Sequence, residues 1–274
     1  AIWPAIVNSI FAMKCLGYPD DHPVLANQLR EMENLMIYDG DKLYLQPCVS
    51  PVWDTAWASI ALHESGMPGA HSSLQKAGQW LLSKEVRHYG DWALKCKVDE
   101  PSGWYFQYAN EFYPDTDDSA AVLMALQRVS LPERMHKEKA VLRGLKWLLA
   151  MQCDDGGWGA FDRNNNKAIL NHIPFADFNA LLDPSTSDVT GRCLDFLGRI
   201  GFSKSSHHIQ KAIDYLQKEQ EKDGSWFGRW GANYIYGTWS VLSGLSAAGE
   251  DMNKPHIKRA VAWLKSVQNS DGGW

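Results

Sequence analysis

Apolar residues along this chain recur at the spacing of amphipathic helices. Behind Ser50-Pro51, a pair suited to an N-cap and first helical turn, Trp53, Trp57 and Ile60 share one face, and Gly66 and Pro68 stop the helix. Val189, Cys193, Phe196, Leu197 and Ile200 mark a second helix. A third apolar run starts behind Asp115, continues through Val129 and ends before Pro132. Strand-like alternation is nearly absent, so the pattern predicts an all-α fold.

Several of these helical segments are copies of one unit. The stretch Arg143-Gly144-x-x-Trp147-Leu148-x-x-x-Gln152-x-x-x-Gly156-Gly157-Trp158 returns as Lys211-Ala212-x-x-Tyr215-Leu216-x-x-x-Gln220-x-x-x-Gly224-Ser225-Trp226. It returns again as Arg259-Ala260-x-x-Trp263-Leu264-x-x-x-Gln268-x-x-x-Gly272-Gly273-Trp274. A degenerate copy comes first, Lys76-Ala77-x-x-Trp80-Leu81, with Glu85 in place of Gln and Gly90-Asp91-Trp92 as its expected close. The first half of the unit has helical spacing. In the second half Gly supplies a left-handed cap, the Trp folds back on the turn, and the Gln amide reaches a neighbouring backbone end. These residues are expected to staple the fold, and Trp57, Trp80 and Trp147 receive the same structural reading. Helix pairs repeated in this way close into an α/α toroid or stack into a solenoid.

Composition narrows the function. The 274 residues carry a formal charge of -5 with both signs interspersed, so the basic footprint of a nucleic-acid binder is missing. Thirteen Trp, with 10 Tyr and 9 Phe, are an unusual amount of aromatic surface, which must either staple the fold or line something apolar. Five widely spaced Cys without a Cys-x-x-Cys predict reduced, mostly buried thiols in a cytoplasmic setting. No apolar run is long enough to span a bilayer, which leaves attachment to one membrane face open. Opening at Ala1-Ile2-Trp3-Pro4 and stopping at Gly272-Gly273-Trp274 inside a repeat, the chain reads as a fragment of a longer one.

The candidate chemistry sits at Asp115-Thr116-Asp117-Asp118, directly before an apolar run. Read from the residues alone it is a helix cap with an acidic first turn, a metal site or an acid. His172 has no second ligand at metal spacing and reads as a loop histidine. Clustered carboxylates cannot all ionise, which would keep one protonated. A helix N-terminus acts against this by favouring the anion.

The repeat is similar to the QW motif of triterpene cyclases, and residues 115–118 look like their DxDD motif. Together with Ser50-Pro51-Val52-Trp53-Asp54-Thr55, Asn171-His172-Ile173-Pro174-Phe175 and Trp226-Phe227-Gly228-Arg229-Trp230-Gly231, they resemble the squalene–hopene cyclase family over essentially the whole chain. The resemblance implies α/α (α6/α6-like) barrels around a large apolar cavity. Residues 1–48 would end a first barrel domain, and residues 49–274 would form the first part of the catalytic barrel, incomplete in this chain. It implies protonation-initiated cyclisation of squalene to hopene- or hopanol-type pentacycles, with no cofactor and no metal. It also implies a peripheral, monotopic protein on the cytoplasmic side of the cell membrane, held there by parts outside this chain, and allows a homodimer. The fragment alone is expected to be inactive.

Motif positions then assign roles. Asp117, the middle Asp, would be the acid, with Asp115 and Asp118 as its electrostatic support. Arg192 stands where well-known hopene cyclases have His. It cannot accept a proton, but its fixed charge would stabilise ionised Asp117. The competing reading is a helix-surface pair with Asp188 four residues before it. Tyr236 would stand near the acid. Trp53, Phe106, Phe161 and Trp230 match family cavity aromatics, whose faces stabilise a travelling cation. Phe161 occupies a place where Tyr is often found, and Asp188 would face the early cation. Rival readings are a class II cyclase for oxidosqualene or another polyprene, a metal-dependent class I synthase, an α/α-toroid glycosidase, and a partner-binding helical repeat.

Overall fold

The Gly turns of the repeat units do break the chain into helices. The computed structural model describes residues 2–173 and 181–274, and ten α-helices and one hairpin occur among them. The chain divides into two units, one reaching to Pro51 and one from Val52 to Trp274.

In the first unit, α1 (Trp3–Cys15) packs on α2 (Pro23–Glu33) and is followed by β1 (Met36–Asp39) and β2 (Lys42–Leu45). The strands pair antiparallel from Met36↔Leu45 to Asp39↔Lys42. This hairpin is absent from the helical reading of the sequence, because each strand has only four residues. Its local signal is Asp39-Gly40-Asp41, with Gly40 at φ +61° in the left-handed region that two-residue hairpin loops demand.

The second unit contains α3 (Pro51–Glu64), whose first residue falls on the boundary, and α4 (Ser72–Ser83), α5 (Thr116–Arg128) and α6 (Arg134–Ala150). It continues with α7 (Ser187–Arg199), α8 (His207–Lys218), α9 (Asn233–Ala247) and α10 (Pro255–Ser266). Residues 118–126 of α5 and 187–197 of α7 are buried without interruption, so these are inner helices. α5 packs on α7 and α7 on α9, and each is backed by the amphipathic helix that follows it. The α7–α9 seam is close because it is built from glycine. A Cβ on Gly191 would lie 2.6 Å from the backbone of Ser240, and one on Gly244 would lie 2.3 Å from the Gly191 carbonyl oxygen.

The repeats staple these layers as their spacing predicts. The indole N–H of Trp158 donates to Leu148 O (2.8 Å), that of Trp226 to Leu216 O (2.6 Å) and that of Trp274 to Leu264 O (3.0 Å). The Gln152 amide bonds both its own turn at Gly156 O and the start of the next outer helix at His208 O, and Gln220 does the same with Gly224 and His256. The first copy needs a correction. Its closing residue is Trp104, whose indole bonds Leu81 O at 2.7 Å, and the Val86 N–H to Gly103 O bond repeats Cys153 to Gly157 and Glu221 to Ser225. Residues 87–102 are an insertion, and Trp92 within it is buried edge-on against Trp147 instead. Glu85, at the Gln position, carries its own cation: it pairs with Arg143 at 2.6 and 2.9 Å.

One consequence of the staples positions the chemistry. The backbone N–H of three closing Trp donates to a hydroxyl in the opening turns of the next inner helix: Trp104 to Ser119, Trp158 to Thr190 and Trp226 to Thr238. Two residues before those hydroxyls stand Asp117, Asp188 and Tyr236. The repeat therefore presents these three side chains in one register, each near the N-terminal end of an inner helix.

Candidate active site

Asp115 begins α5 as its N-cap, with extended backbone and a carboxylate that accepts from the Asp118 N–H at 2.7 Å. Its own N–H is held by Trp104 O at 2.9 Å. Asp115 and Asp118 are both buried, whereas Asp117 between them keeps 13% of its side chain accessible. Burial pushes the Asp115 carboxyl up to about 7, opposed by its bonds to Asp118 and reinforced by the charge of Asp117. Burial and the neighbouring Asp115 push Asp118 well above the usual carboxylate range, and its Oδ1 has no hydrogen-bond partner. Two carboxyls so placed cannot both ionise, so the cap holds at least one proton between them.

Asp117 is also raised by burial, but here the Arg192 guanidinium opposes the shift while Asp188 adds to it. Arg192 Nε donates to Asp117 Oδ1 at 2.5 Å, and Nη2 donates to the Tyr236 hydroxyl at 2.6 Å. Its side chain is only 2% exposed. Burial acts against the guanidinium charge, yet Asp117 and Tyr236 outweigh it and hold the pKa above the ordinary value. Burial and the charge of Asp117 likewise push the Tyr236 phenol up, keeping it neutral. The i,i+4 pair between Asp188 and Arg192 is therefore not what forms. Asp188 instead accepts the backbone N–H of Trp230 through Oδ2 at 2.8 Å, and its Oδ1 is buried without a partner.

The aromatic residues divide into two groups. Trp53 faces the resident cation, its ring 5.2 Å from the Arg192 guanidinium carbon and edge-on to Trp57. Phe161 and Trp230 meet edge to face at 5.9 Å. Thr116 ties this second pair to the acid motif by bonding Gly159 O through its hydroxyl (2.6 Å) and Ala160 O through its N–H (2.8 Å). Asp183, which sequence reading left without a role, holds the same turn from the other side, accepting from the N–H groups of Ala160, Phe161 and Asp162. Phe161 and Asp183 border a cleft of about 200 Å³ together with Trp92, Phe112 and Pro114. Phe106, in the chain segment that joins Trp104 to α5, is half-buried, and no hydrogen bond or ring contact joins it to either group among the described residues.

Sequence reading paired Arg192 with Asp117 but missed two of its aromatic partners. Trp57, read as a staple, and Trp239, not singled out, both lie over its guanidinium, at 4.8 and 5.2 Å. Helical spacing was the available signal: Trp57 is one turn from Trp53, and Trp239 one turn from Tyr236. Among the described residues no three His, Cys, Asp or Glu side chains converge as a metal-holding group, and His172 is exposed. Pro174 and Phe175 of the Asn171–Phe175 stretch lie outside the described residues. Cys96, Cys153 and Cys193 are buried thiols, while Cys15 is exposed.

The same helical fold is found among type II terpene cyclases. A type II terpene cyclase from Scytonema superposes with a TM-score of 0.56 over 87% of this chain and 63% of its own, at 18% identity. The ent-copalyl diphosphate synthase from Streptomyces platensis does so at 0.51 over 93% and 41%, at 21% identity. The sequence is more specific: residues 49–274 match the squalene-hopene cyclase C-terminal domain and residues 1–41 the N-terminal domain. The chain belongs to the squalene–hopene cyclase family. It is 48% identical to the squalene–hopene cyclase of Zymomonas mobilis over 90% of its length, and 46% identical to that of Schizosaccharomyces japonicus over 91%. A dammaradiene synthase from Dryopteris crassirhizoma is 42% identical over 89%. The chain spans about two fifths of the length of these relatives, 39%, 39% and 37% respectively.

Proposed function

We propose that this chain carries the proton-donating part of a squalene cyclase, and that Asp117 protonates the terminal carbon–carbon double bond to start cyclisation to hopene- or hopanol-type pentacycles. The observation that carries the reading is the asymmetry of the three carboxyls. Asp115 and Asp118 are sealed, while Asp117 keeps accessible surface and has a fixed cation on one oxygen. An alkene is a very weak base, so its protonation needs an acid whose anion is strongly stabilised at the moment the proton leaves. Arg192 supplies that stabilisation in a site with little water to screen it. Because a guanidinium accepts no proton, Arg192 acts only through charge and position. Phe161 and Trp230 offer π faces to the cation that follows, and Asp188 fixes Trp230 through its backbone.

In the same reading, residues 1–48 end a first α/α barrel domain and residues 49–274 begin the catalytic barrel. The protein lies peripherally on the cytoplasmic membrane face, where a hydrocarbon substrate is stored, and a homodimer is compatible with it. Among the described residues no helix is long and apolar enough to cross a membrane. The test is turnover of squalene and oxidosqualene in detergent by the full-length protein and its Asp117→Asn variant. The expected result is activity that sediments with the membrane pellet before detergent extraction, pentacyclic product from squalene, and a loss of about 10³-fold or more in the variant, on the order of 4 kcal/mol. Undiminished turnover by Asp117→Asn would refute the acid. Preference for oxidosqualene would move the chain to another cyclase of the same scaffold.

A further inference from the structure

Arg192 is held in a way that its two hydrogen bonds do not explain. Its guanidinium is nearly sealed from water and forms one ion pair, through Nε alone, with Asp117. A buried charge with a single-point partner is costly unless something else replaces its lost hydration. Four aromatic rings do so. Trp57 lies 4.8 Å from the guanidinium carbon, Trp53 and Trp239 each 5.2 Å, and Tyr236 5.6 Å. The rings also support one another: Trp53 meets Trp57 at 5.6 Å, Trp57 meets Trp239 at 6.2 Å, and Tyr236 meets Trp239 at 5.7 Å. They form a continuous arc contributed by α3 and α9, with the cation delivered to it from α7.

We infer that Trp57 and Trp239 are positioning residues of the proton-donating site: with Trp53 they form an indole socket that fixes the Arg192 guanidinium, and through it the carboxyl of Asp117. Neither indole needs to touch substrate. The Trp57 N–H is buried without a hydrogen-bond partner, so this residue contributes the face of its ring rather than its donor. Indole faces are the strongest of the natural aromatic partners for a cation, and the flat guanidinium stacks on them as an ammonium cannot. The socket thus suits this chain's Arg192 in particular, and it makes Asp117's partner permanent. The groups that bear on Arg192 are Asp117 and Asp118 from α5 and Tyr236 from α9, while Asp188 from α7 bears on Asp117. With the socket intact, Asp117 keeps a cation at one oxygen and the other free to carry the proton.

The inference rests on the proposed acid role of Asp117, and its test separates the two. Full-length protein and the variants Trp57→Leu, Trp239→Leu, Trp57→Phe and Trp239→Phe are assayed on squalene for kcat, KM and product ratio. The Leu variants are expected to lose about ten-fold or more in kcat, with KM within about two-fold and the product ratio unchanged. The Phe variants, which keep a ring face, are expected to restore most of the rate. A changed product ratio would assign these rings to the substrate wall and overturn the inference, as would full kcat in the Leu variants. Melting temperatures of Trp57→Leu, Arg192→Gln and their double variant supply a reading that needs no turnover. Less-than-additive losses support the ring–cation contact, and additive losses overturn it. If the wild type makes no product from squalene, the proposed activity fails, and the melting temperatures still decide the socket.

Discussion

Asp115 and Asp117 stand two residues apart in the same dry helix end, yet their surroundings give them different work. Asp115 is a cap whose carboxyl is pushed to about 7 by burial, and Asp117 is countered by a guanidinium. The raised value has a consequence for stability. A free Asp titrates near 3.9, so between about pH 4 and 7 the folded state holds a proton at Asp115 that the unfolded state has released. Folding then binds the extra proton, and stability attributable to this group is full at low pH and falls as pH rises toward 7. Asparagine caps a helix as well as aspartate and cannot ionise. The difference in melting temperature between Asp115→Asn and wild type is therefore expected to grow in favour of the variant from pH 4 to pH 7. Its limiting slope is about 1.4 kcal/mol per pH unit. A difference that stays flat across that range would show that Asp115 is ionised in the folded protein.

At the scale of elements, the α7–α9 seam tests whether the inner helices must touch. The Cβ of an alanine at residue 191 would meet backbone atoms of Ser240 and Val241, which cannot swing aside. Gly191→Ala is expected to cost about 1–3 kcal/mol by overpacking. Because α7 carries Arg192 and α9 carries Tyr236 and Trp239, activity should fall with it. A chemical-denaturation midpoint equal to wild type would show that the seam yields. The same elements show what was legible beforehand. Helices opening at Pro51 and behind Asp115 followed from capping residues and periodicity, and the acidic motif from its place among the repeats. Local pattern failed where the partner is distant. Gly90-Asp91-Trp92 imitates a repeat close, but only the fold shows that Trp104 reaches Leu81 across the insertion. Arg192 is four residues from Asp188 yet bonds Asp117, 75 positions away, because α7 packs on α5. Trp239 carried no motif at all.

At the scale of the molecule, the repeat places two carboxyls and a phenol in one register on three neighbouring inner helices, with aromatic residues beside them. Such a surface performs cation chemistry only while it is dry. Water would take the Asp117 proton by solvating its anion, leaving none for the alkene, and it would trap the carbocation before the rings could guide it. In residues 1–274 the aromatic groups are still open to water: Trp230 is 48% and Trp239 44% exposed. The chain also spans only about two fifths of its relatives' length. Residues 1–274 expressed alone are therefore expected to give no pentacyclic product from squalene, under conditions in which the full-length protein turns over. Measurable turnover by residues 1–274, detected by mass spectrometry of the extracted hydrocarbons, would mean that the acid and its socket suffice without an enclosing wall. It would also mean that the exposure of Trp230 and Trp239 does not matter to the first proton transfer.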